Sequence, residues 1–144
     1  MEEYIRKYGV NNFDFYDLTA IIKKEWIMEF CKLLIQRNLN ISWQLPSETR
    51  SEALDEEVMT LLLKSGFCSM VYAPESGSSH ILKVIKKKIN IGRLKISMQA
   101  CTKEGIKSKA NLIYGFPSET KKDTVRNFIF VFKLAMWGVN DVTI

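Results

Sequence analysis

The sequence has few of the residues that cross-link small secreted proteins or hold metal ions. Its 144 residues include one histidine and three widely spaced cysteines, Cys31, Cys68 and Cys101. An odd number of cysteines at such distances fits neither a disulfide framework nor a zinc site. We therefore expect all three to be small apolar packing residues in a cytoplasmic protein, and we expect no metal site within this chain.

Long apolar segments are lacking as well. No run of about 18 apolar residues occurs, and the N-terminus MEEYIRKYG is charged where a secretion signal is apolar. Both observations disfavour membrane-spanning and secreted proteins, so we expect no membrane partner.

Dense charge of one sign and glycine-rich loops are also scarce. The net charge is +5, and the main basic run, Lys83 to Lys88, alternates with apolar residues as on the exposed edge of a helix. It is not interleaved with aromatic residues, so nothing specific points to a nucleic-acid partner. Phosphate loops of the GxGxxG or GxxxxGK type are absent.

What the sequence does contain is a unit that occurs five times, in which an amphipathic helix ends near Gly or Asn and an apolar strand follows almost at once. Gly and Asn adopt the left-handed conformation that ends helices at little cost. The spacing of about 28 to 39 residues fits one strand and one helix per unit. The five predicted helix-ending residues are Gly9, Asn38, Gly66, Gly105 and Gly138.

Four segments show apolar residues at helical spacing, which predicts one buried face for each helix. We also predict that Asp55 is a helix N-cap and that Thr120 with Asp123 forms a capping box. The four apolar stripes are Trp26, Ile27, Phe30, Leu33 and Leu34; Leu54, Val58, Leu61 and Leu62; Ile91, Leu94, Met98 and Cys101; and Val125, Phe128, Ile129 and Phe132.

Regular alternation of strands and helices predicts an α/β fold with repeated βα units and a parallel sheet joined by right-handed crossovers. The sheet is either open and doubly wound, or a closed or partial barrel. Because five strands leave two exposed edges, we expect apolar strand faces to be uncovered and the isolated chain to have limited stability.

Ligands of parallel βα folds bind beyond the carboxyl ends of the strands, so the loops after the strands are the candidates for function. These loops carry carboxylates, hydroxyls and one arginine, which suit a polar ligand with hydroxyl, ammonium and carboxylate groups. The residues are Asp14, Tyr16, Asp17 and Thr19; Ser47, Glu48, Thr49 and Arg50; Glu75, Ser76 and Ser78; and Gly115, Glu119 and Thr120.

Two of these loops, PESGS and GFPSET, resemble motifs of the radical S-adenosylmethionine enzymes, in particular of the subgroup associated with a cobalamin-binding domain. The acidic strand end FDFYD and the segment WQLPSETR precede them in the family's order, so the resemblance covers nearly the whole chain. One departure is Ser118, which stands where the family usually has Gly and therefore has to tolerate the geometry of that turn.

The resemblance implies that residues 1–144 are part of a radical S-adenosylmethionine core domain, a partial triosephosphate-isomerase-like barrel. It implies that S-adenosylmethionine binds against a [4Fe-4S] cluster and yields a 5′-deoxyadenosyl radical that attacks a small-molecule substrate. Cobalamin is a further candidate cofactor, through a domain outside this chain. Carried over from the family, the residues that bind S-adenosylmethionine are Glu75, Ser76, Gly77, Arg50, Asp17, Gly115, Phe116 and Pro117.

Within this set, the resemblance assigns Glu75 and Ser76 to the ribose or the amino-acid end of S-adenosylmethionine. It assigns Gly115 and Pro117 to close backbone approach on the adenine side, and Arg50 to a carboxylate of S-adenosylmethionine or of the substrate.

The family holds its cluster with three cysteines in a CxxxCxxC loop, and this sequence contains no such loop. Two of its cysteines fall on helix stripes, and Cys68 falls at the start of a strand, away from the expected site. We expect the cluster ligands to lie in an upstream remainder of the same protein, and the chain alone to be inactive.

Two other functions stay open at this stage. One is a βα remnant or binding module without a cluster, and the other is a βα-barrel enzyme for another nucleotide or a phosphorylated ligand, against which the lack of a phosphate loop counts.

Individual residues have structural alternatives too. These are a helix-capping role for Glu75, a surface ion pair for Arg50, turn positions for Asp14 and Asp17, helix-start positions for Glu119 and Thr120, and an ordinary exposed or helix-start position for His80.

Overall fold

Helices and strands alternate along the chain in the computed structural model, which describes residues 1–16, 21, 23–48 and 54–144. The helices are α1 (Glu2–Tyr8), α2 (Lys24–Arg37), α3 (Glu56–Lys64), α4 (Ser79–Val84), α5 (Ile91–Lys103) and α6 (Lys121–Met136). The strands are β1 (Asn12–Asp14), β2 (Ser42–Glu48), β3 (Phe67–Glu75), β4 (Lys107–Leu112) and β5 (Asp141–Thr143).

The five strands form one sheet in the order β1-β2-β3-β4-β5, and every neighbouring pair is parallel. Each strand therefore lies beside the one that precedes it in the chain, with at least one helix in each crossover. A doubly wound sheet reverses its strand order at a switch point, whereas a βα barrel adds strands in sequence. The structure confirms the predicted α/β fold with repeated βα units and has the strand order of a partial barrel.

The predicted helix ends are confirmed at all five positions. Gly9, Asn38, Gly66, Gly105 and Gly138 have φ angles of 66°, 46°, 89°, 74° and 89°. Space as well as conformation requires Gly at position 66, because a Cβ atom there would lie 2.1 Å from the carbonyl oxygen of Ile41.

The core lies between one face of the sheet and the helices. Trp43 from β2 and Met70 and Tyr72 from β3 are buried there with side chains of α2, α3 and α5. The indole Nε1 of Trp43 donates to the backbone oxygen of Ser65 at 3.2 Å and to its Oγ at 3.1 Å, so the buried polar atom of this ring has protein acceptors.

The other face of the sheet carries one polar row, although the partly exposed Val71 of β3 lies on it as well. Asp14, Gln44, Ser69 and Lys107 lie in register on four successive strands and form one row across the sheet. The Nε2 atom of Gln44 donates to Asp14 Oδ1 at 2.8 Å. Parallel sheets covered on both faces are apolar on both, so this polar row is suited to an aqueous space.

The apolar stripes of the second and third predicted helices face the core, apart from the partly exposed Ile91 and Leu61 at their margins. In α2 the stripe is only partly correct, since Ile27 and Leu34 are buried whereas Trp26 and Leu33 are exposed.

The stripe predicted for α6 is wrong. Its four members, Val125, Phe128, Ile129 and Phe132, are 51% to 69% exposed, and the buried side chains of α6 are Asp123, Asn127, Phe130 and Leu134. The physical reason is that Asp123 and Asn127 form hydrogen bonds with the loop after β3, which turns their face of the helix toward the sheet.

The expectation for the cysteines holds for two of three. Cys31 and Cys101 are fully buried, but Cys68 is exposed near the beginning of β3, with its Sγ 3.4 Å from the backbone oxygen of Trp43. Among the described residues, no helix has both the length and the apolar character needed to cross a membrane.

Candidate functional site

The two motif loops lie side by side because they follow adjacent parallel strands. PESGS ends β3 and GFPSET follows β4, and Glu75 pairs with Leu112 in the register of these strands. The backbone nitrogen of Ile113 donates to the Glu75 oxygen at 2.8 Å, which joins the two loops at their bases. Both loops are therefore at the carboxyl edge of the sheet, where ligands of βα folds bind.

Glu75 stands at a bend of the backbone. Its φ of 62° is in the left-handed region, and the pairing of β3 with β4 is irregular between Tyr72 and Glu75. A non-glycine residue in this conformation is strained and persists only where its surroundings hold it. The carboxylate is 14% exposed, and its Oε1 lies 3.1 Å from Lys87 Nζ, so it forms a partly shielded ion pair at the sheet edge.

Ser76 and Gly77 turn toward α6. Ser76 is fully buried, and its Oγ donates to Asn127 Oδ1 at 2.8 Å. The backbone nitrogen of Gly77 donates to the same oxygen at 2.7 Å. A Cβ atom at Gly77 would lie 2.3 Å from the Cβ of Phe130, so only Gly permits this close approach of the loop to α6.

Asp123 is the second anchor between this loop and α6. Ser78 Oγ donates to its Oδ1 at 2.5 Å, and Thr120 donates to its Oδ2 through Oγ1 at 2.6 Å and through the backbone nitrogen at 3.1 Å. His80 Nδ1 lies 3.1 Å from the same Oδ2. These hydrogen bonds, of which the one from Ser78 has the largest effect, hold the pKa of the Asp123 carboxyl well below its ordinary value of 3.8. The predicted capping box is confirmed.

The GFPSET loop is shaped by a glycine and a proline. Gly115 has a φ of 84°, which favours Gly, and no described atom lies within 4 Å of where its Cβ would be. The nitrogen of Glu119 donates to the Phe116 oxygen at 2.8 Å, which closes a turn with Pro117 and Ser118 at its centre. Ser118 lies outside the left-handed region, so it occupies the family's glycine position without backbone strain.

The carboxylate of Glu119 folds back over this turn. Its Oε2 accepts from the backbone nitrogen of Gly115 at 2.7 Å and of Phe116 at 3.3 Å, and its Oε1 accepts from Thr124 Oγ1 at 3.2 Å. Glu119 thus precedes α6, as expected, but its side chain supports the loop rather than capping the helix.

Six of the eight predicted binding residues lie in these two loops. Glu75, Gly115, Phe116 and Pro117 follow or end strands at the carboxyl edge, while the Ser76 hydroxyl is engaged by Asn127 and Gly77 packs against α6. Asp17 and Arg50 lie outside the described residues, and so do Thr19 and Thr49. Contact of any of these residues with S-adenosylmethionine stays a prediction.

Sequence reasoning missed three residues of this region. The sequence gives no signal for Asn127, which follows Arg126 and directly precedes the apolar run FIFVF. For Asp123 the sequence predicts only a cap, and for Lys87 only a place in a solvated basic run. Their partners are distant in sequence, so spacing alone does not reveal them.

The residues present do not fit a [4Fe-4S] cluster. Within the described part of the chain, no three His, Cys, Asp or Glu side chains are grouped closely enough to hold a metal ion. Cys31 and Cys101 are buried in α2 and α5, and Cys68 lies near the start of β3, at the opposite end of that strand from Glu75. A cluster needs several thiolates converging on one point, which these three cysteines do not provide.

Two relatives of the chain are named as enzymes. The chain is 27% identical over 128 residues to an uncharacterized methyltransferase of Pyrococcus horikoshii, covering 89% of this chain and 28% of that protein. It is 26% identical over 120 residues to the anaerobic magnesium-protoporphyrin IX monomethyl ester cyclase of Rubrivivax gelatinosus, covering 83% of this chain and 22% of the cyclase. The chain thus spans less than a third of these relatives, and no family profile matches it.

Solved structures share the fold. The radical S-adenosylmethionine methyltransferase TsrM of Kitasatospora setae, solved with cobalamin and a [4Fe-4S] cluster, superposes with a TM-score of 0.70 at 14% identity, over 92% of this chain and 27% of TsrM. Coproporphyrinogen III oxidase (HemN) of Escherichia coli, a radical S-adenosylmethionine enzyme, superposes with a TM-score of 0.70 at 14% identity, over 93% of this chain and 32% of HemN. These two structures show that the chain has the fold of radical S-adenosylmethionine enzymes of known structure, as the resemblance of its loops implied.

Proposed function

We propose that this chain is part of a radical S-adenosylmethionine enzyme and that the loops after β3 and β4 bind S-adenosylmethionine. The observation that carries the proposal is the side-by-side position of PESGS and GFPSET at the carboxyl edge of a parallel sheet, joined by the 2.8 Å bond from Ile113 to Glu75. Two motifs that match one family in kind and order thereby meet where a βα fold binds its ligand.

Glu75 is the residue of this site with the chemistry to hold the ligand's polar groups. A carboxylate accepts hydrogen bonds from ribose hydroxyls or from an ammonium group, and its partial burial strengthens such bonds. The ion pair with Lys87 keeps the carboxylate at the edge of the sheet when no ligand is bound. Lys87 is therefore positioned to balance its charge.

The GFPSET loop supplies shape rather than charge. The open space beside Gly115 lets a flat ring approach the backbone, and Pro117 fixes the turn that follows. We assign this loop to the adenine side of S-adenosylmethionine and Arg50 to a carboxylate of the ligand or the substrate.

The fold does not name the substrate of this site. The row formed by Asp14, Gln44, Ser69 and Lys107 lies toward the amino ends of β3 and β4, away from the two motif loops, so it is not part of the proposed site. The radical chemistry requires a [4Fe-4S] cluster, which the cysteines of this chain do not fit. The ligands of that cluster therefore have to come from other residues of the parent enzyme. The same holds for a cobalamin-binding domain, where one is used.

Equilibrium titration of the 144-residue chain with S-adenosylmethionine, followed by calorimetry and by nuclear magnetic resonance, tests the proposal. We expect saturable binding, with shifts of the Glu75 and Gly115 amide resonances. In Glu75→Ala the dissociation constant should be at least about tenfold larger, as the loss of a hydrogen bond to a charged group implies.

Glu56→Ala is the matched control, because Glu56 is an exposed carboxylate of α3 that pairs with Lys103 away from both loops. It should bind like the wild type. Absence of binding both in the chain and in the natural gene product reconstituted anaerobically with iron and sulfide would contradict the proposal.

A binding module without a cluster is the second candidate, and the scattered cysteines favour it. Electron paramagnetic resonance of the reconstituted gene product separates the two. A [4Fe-4S] signal that shifts with S-adenosylmethionine supports the enzyme, whereas binding of S-adenosylmethionine without any cluster supports the module.

A further inference from the structure

The beginning of α6 contacts both motif loops through one connected set of hydrogen bonds. Asn127 Oδ1 accepts from Ser76 Oγ at 2.8 Å and from the nitrogen of Gly77 at 2.7 Å, and Asn127 Nδ2 donates to Glu119 Oε1 at 3.5 Å. The other oxygen of Glu119 accepts from the nitrogen of Gly115 at 2.7 Å. PESGS and GFPSET are thus linked through the side chains of Asn127 and Glu119.

This link is buried where it meets PESGS. Asn127 and Ser76 are both fully buried, so water cannot replace the bonds between them. A buried amide whose oxygen serves two donors leaves both unsatisfied when it is removed. The position of PESGS therefore depends on Asn127 to a degree that an exposed hydrogen bond would not reach.

Two further contacts hold the same loop against α6. Ser78 Oγ donates to the buried Asp123, and Gly77 lies so close to Phe130 that no side chain fits between them. These contacts fix the distance between loop and helix, and Asp123 also accepts from Thr120 at the end of GFPSET, while Asn127 reaches Glu119. Packing and polar contacts together leave PESGS little freedom to move independently of α6.

We propose that the segment from Glu119 to Asn127 acts as a clamp that holds the two motif loops at a fixed distance, with Asn127 as its central positioning residue. This inference rests on the proposed function, because it takes the two loops as the two sides of one S-adenosylmethionine site. Binding a ligand across two loops is tighter when their relative position is set beforehand, since less freedom is lost on binding.

Asn127→Ala tests the clamp, with Asn140→Ala as the matched control. Asn140 also accepts from a backbone nitrogen, that of Ser108 at 2.8 Å, but it does so next to the start of β4, at the opposite end of that strand from GFPSET. The measurements are the hydrogen exchange rates of the Gly77 and Gly115 amides and the dissociation constant for S-adenosylmethionine.

In Asn127→Ala we expect both amides to exchange faster and S-adenosylmethionine to bind about tenfold more weakly, as loss of a buried acceptor implies. The faster exchange of Gly115 is decisive, because Asn127 contacts Gly115 only through Glu119. Asn140→Ala should leave all three quantities at their wild-type values.

Asn127→Asp keeps the test valid if Asn127→Ala does not fold. It preserves the size of the side chain and its acceptors for Ser76 and Gly77, but it removes the donor to Glu119 and sets two carboxylates side by side. We expect Gly77 to stay protected and Gly115 to exchange faster.

The outcomes separate the clamp from the function. Unchanged Gly115 exchange in every folded Asn127 variant overturns the clamp, even where S-adenosylmethionine binds to the wild type. If Gly115 exchanges faster in the Asn127 variants but the wild-type chain does not bind S-adenosylmethionine, the result supports the clamp as a link between the loops and overturns the proposed function.

Discussion

Single residues in this protein have roles that are defined by partners far away in the sequence. Asp123 is the clearest case, since its side chain is 3% exposed, accepts from Ser78 and Thr120, and lies 3.1 Å from His80 Nδ1. A carboxylate with several donors is stabilised in its charged form. The cap recognised in the sequence accounts only for the bonds with Thr120.

The first prediction concerns acid stability. Because hydrogen bonds hold the pKa of Asp123 below 3.8 in the folded protein, its ionised form stabilises the fold above that value and the stabilisation is lost on acidification. We expect the free energy of unfolding, measured by urea denaturation from about pH 6 to about pH 2, to fall less steeply in Asp123→Asn than in the wild type.

Asp141→Asn is the control for this experiment, because Asp141 forms an exposed ion pair with Lys109 at 3.4 Å, and exposed pairs contribute little. Equal slopes in Asp123→Asn and the wild type would contradict the assigned role of Asp123.

The second prediction concerns the thiols. Burial raises the pKa of Cys101 to about 11 and that of Cys31 above its ordinary value, and both are inaccessible in the folded chain. Cys68 is accessible, and its pKa is raised by partial burial and by Asp14. Because the thiolate is the reactive form, a thiol reagent should label one cysteine per native chain, at a rate that rises from neutral to alkaline pH.

Cys68→Ser should abolish this native labelling, and all three cysteines should react in the unfolded wild type. Labelling of Cys31 or Cys101 at the same rate as Cys68 would show that the core is open.

At the scale of the elements, α6 shows how tertiary contacts override an apolar pattern. The stripe with the correct helical spacing faces outward, and the face that is buried includes Asp123 and Asn127. A helix buries the face whose side chains find partners in the rest of the protein. In α6, the hydrogen bonds of Asp123 and Asn127 with the loop after β3 determine which face is buried.

The third prediction compares two phenylalanines of α6. Phe130 is 5% exposed and Phe132 is 69% exposed. We expect Phe130→Ala to lower the free energy of unfolding by about 3 kcal/mol or more, and Phe132→Ala to change it by less than about 0.5 kcal/mol. Chemical denaturation of the two variants measures the difference, and the reverse order would restore the face predicted from spacing.

The fourth prediction compares two helix-ending glycines. Gly105 has a φ of 74° with no described atom within 4 Å of a Cβ position, whereas Gly66 has a φ of 89° and would place a Cβ against the Ile41 oxygen. Gly105→Ala should cost about 1–2 kcal/mol of stability through conformation alone. Gly66→Ala should cost a further ~1–3 kcal/mol through crowding against the Ile41 oxygen. Thermal unfolding measures both variants, and an equal loss of stability in the two would argue against this crowding.

At the scale of the whole molecule, apolar surface is gathered on the outer face of α6. Val125, Phe128, Ile129 and Phe132 form a continuous exposed stripe, which Met136 extends at 75% exposure. Exposed apolar patches of this kind promote association in water. Together with the two edge strands β1 and β5, this stripe favours self-association of the isolated chain.

The fifth prediction follows from this surface. The 144-residue chain should self-associate as its concentration rises, and the double variant Phe128→Lys with Phe132→Lys should remain monomeric, because the charges interrupt the apolar stripe. Sedimentation velocity measures both. Trp26→Lys, which changes an exposed residue of α2, should associate like the wild type, and a wild type that stays monomeric throughout would contradict the prediction.

Much of the fold could be predicted because its signals are local. The helix ends at Gly9, Asn38, Gly66, Gly105 and Gly138, the N-cap at Asp55 and the capping box at Thr120 all depend on residues a few positions apart. The same alternation of helices and strands implied a parallel sheet, and the resemblance of its loops pointed to the fold that the solved structures share.

The site was predictable only as a location. That PESGS and GFPSET lie at one edge of the sheet follows from the order of the strands. That the Ser76 hydroxyl and Gly77 belong to an internal contact does not follow, because Asn127 lies 51 and 50 residues from them in the chain.

The sequence by itself therefore determined the order of the βα units, their ends and the edge of the sheet where the loops meet, since short-range periodicity and backbone conformation set these features. Only the tertiary structure decided which face of α6 is buried and which side chains of the loops are engaged by Asp123 and Asn127. Hydrogen-bond satisfaction between distant segments depends on positions in space that no local pattern encodes.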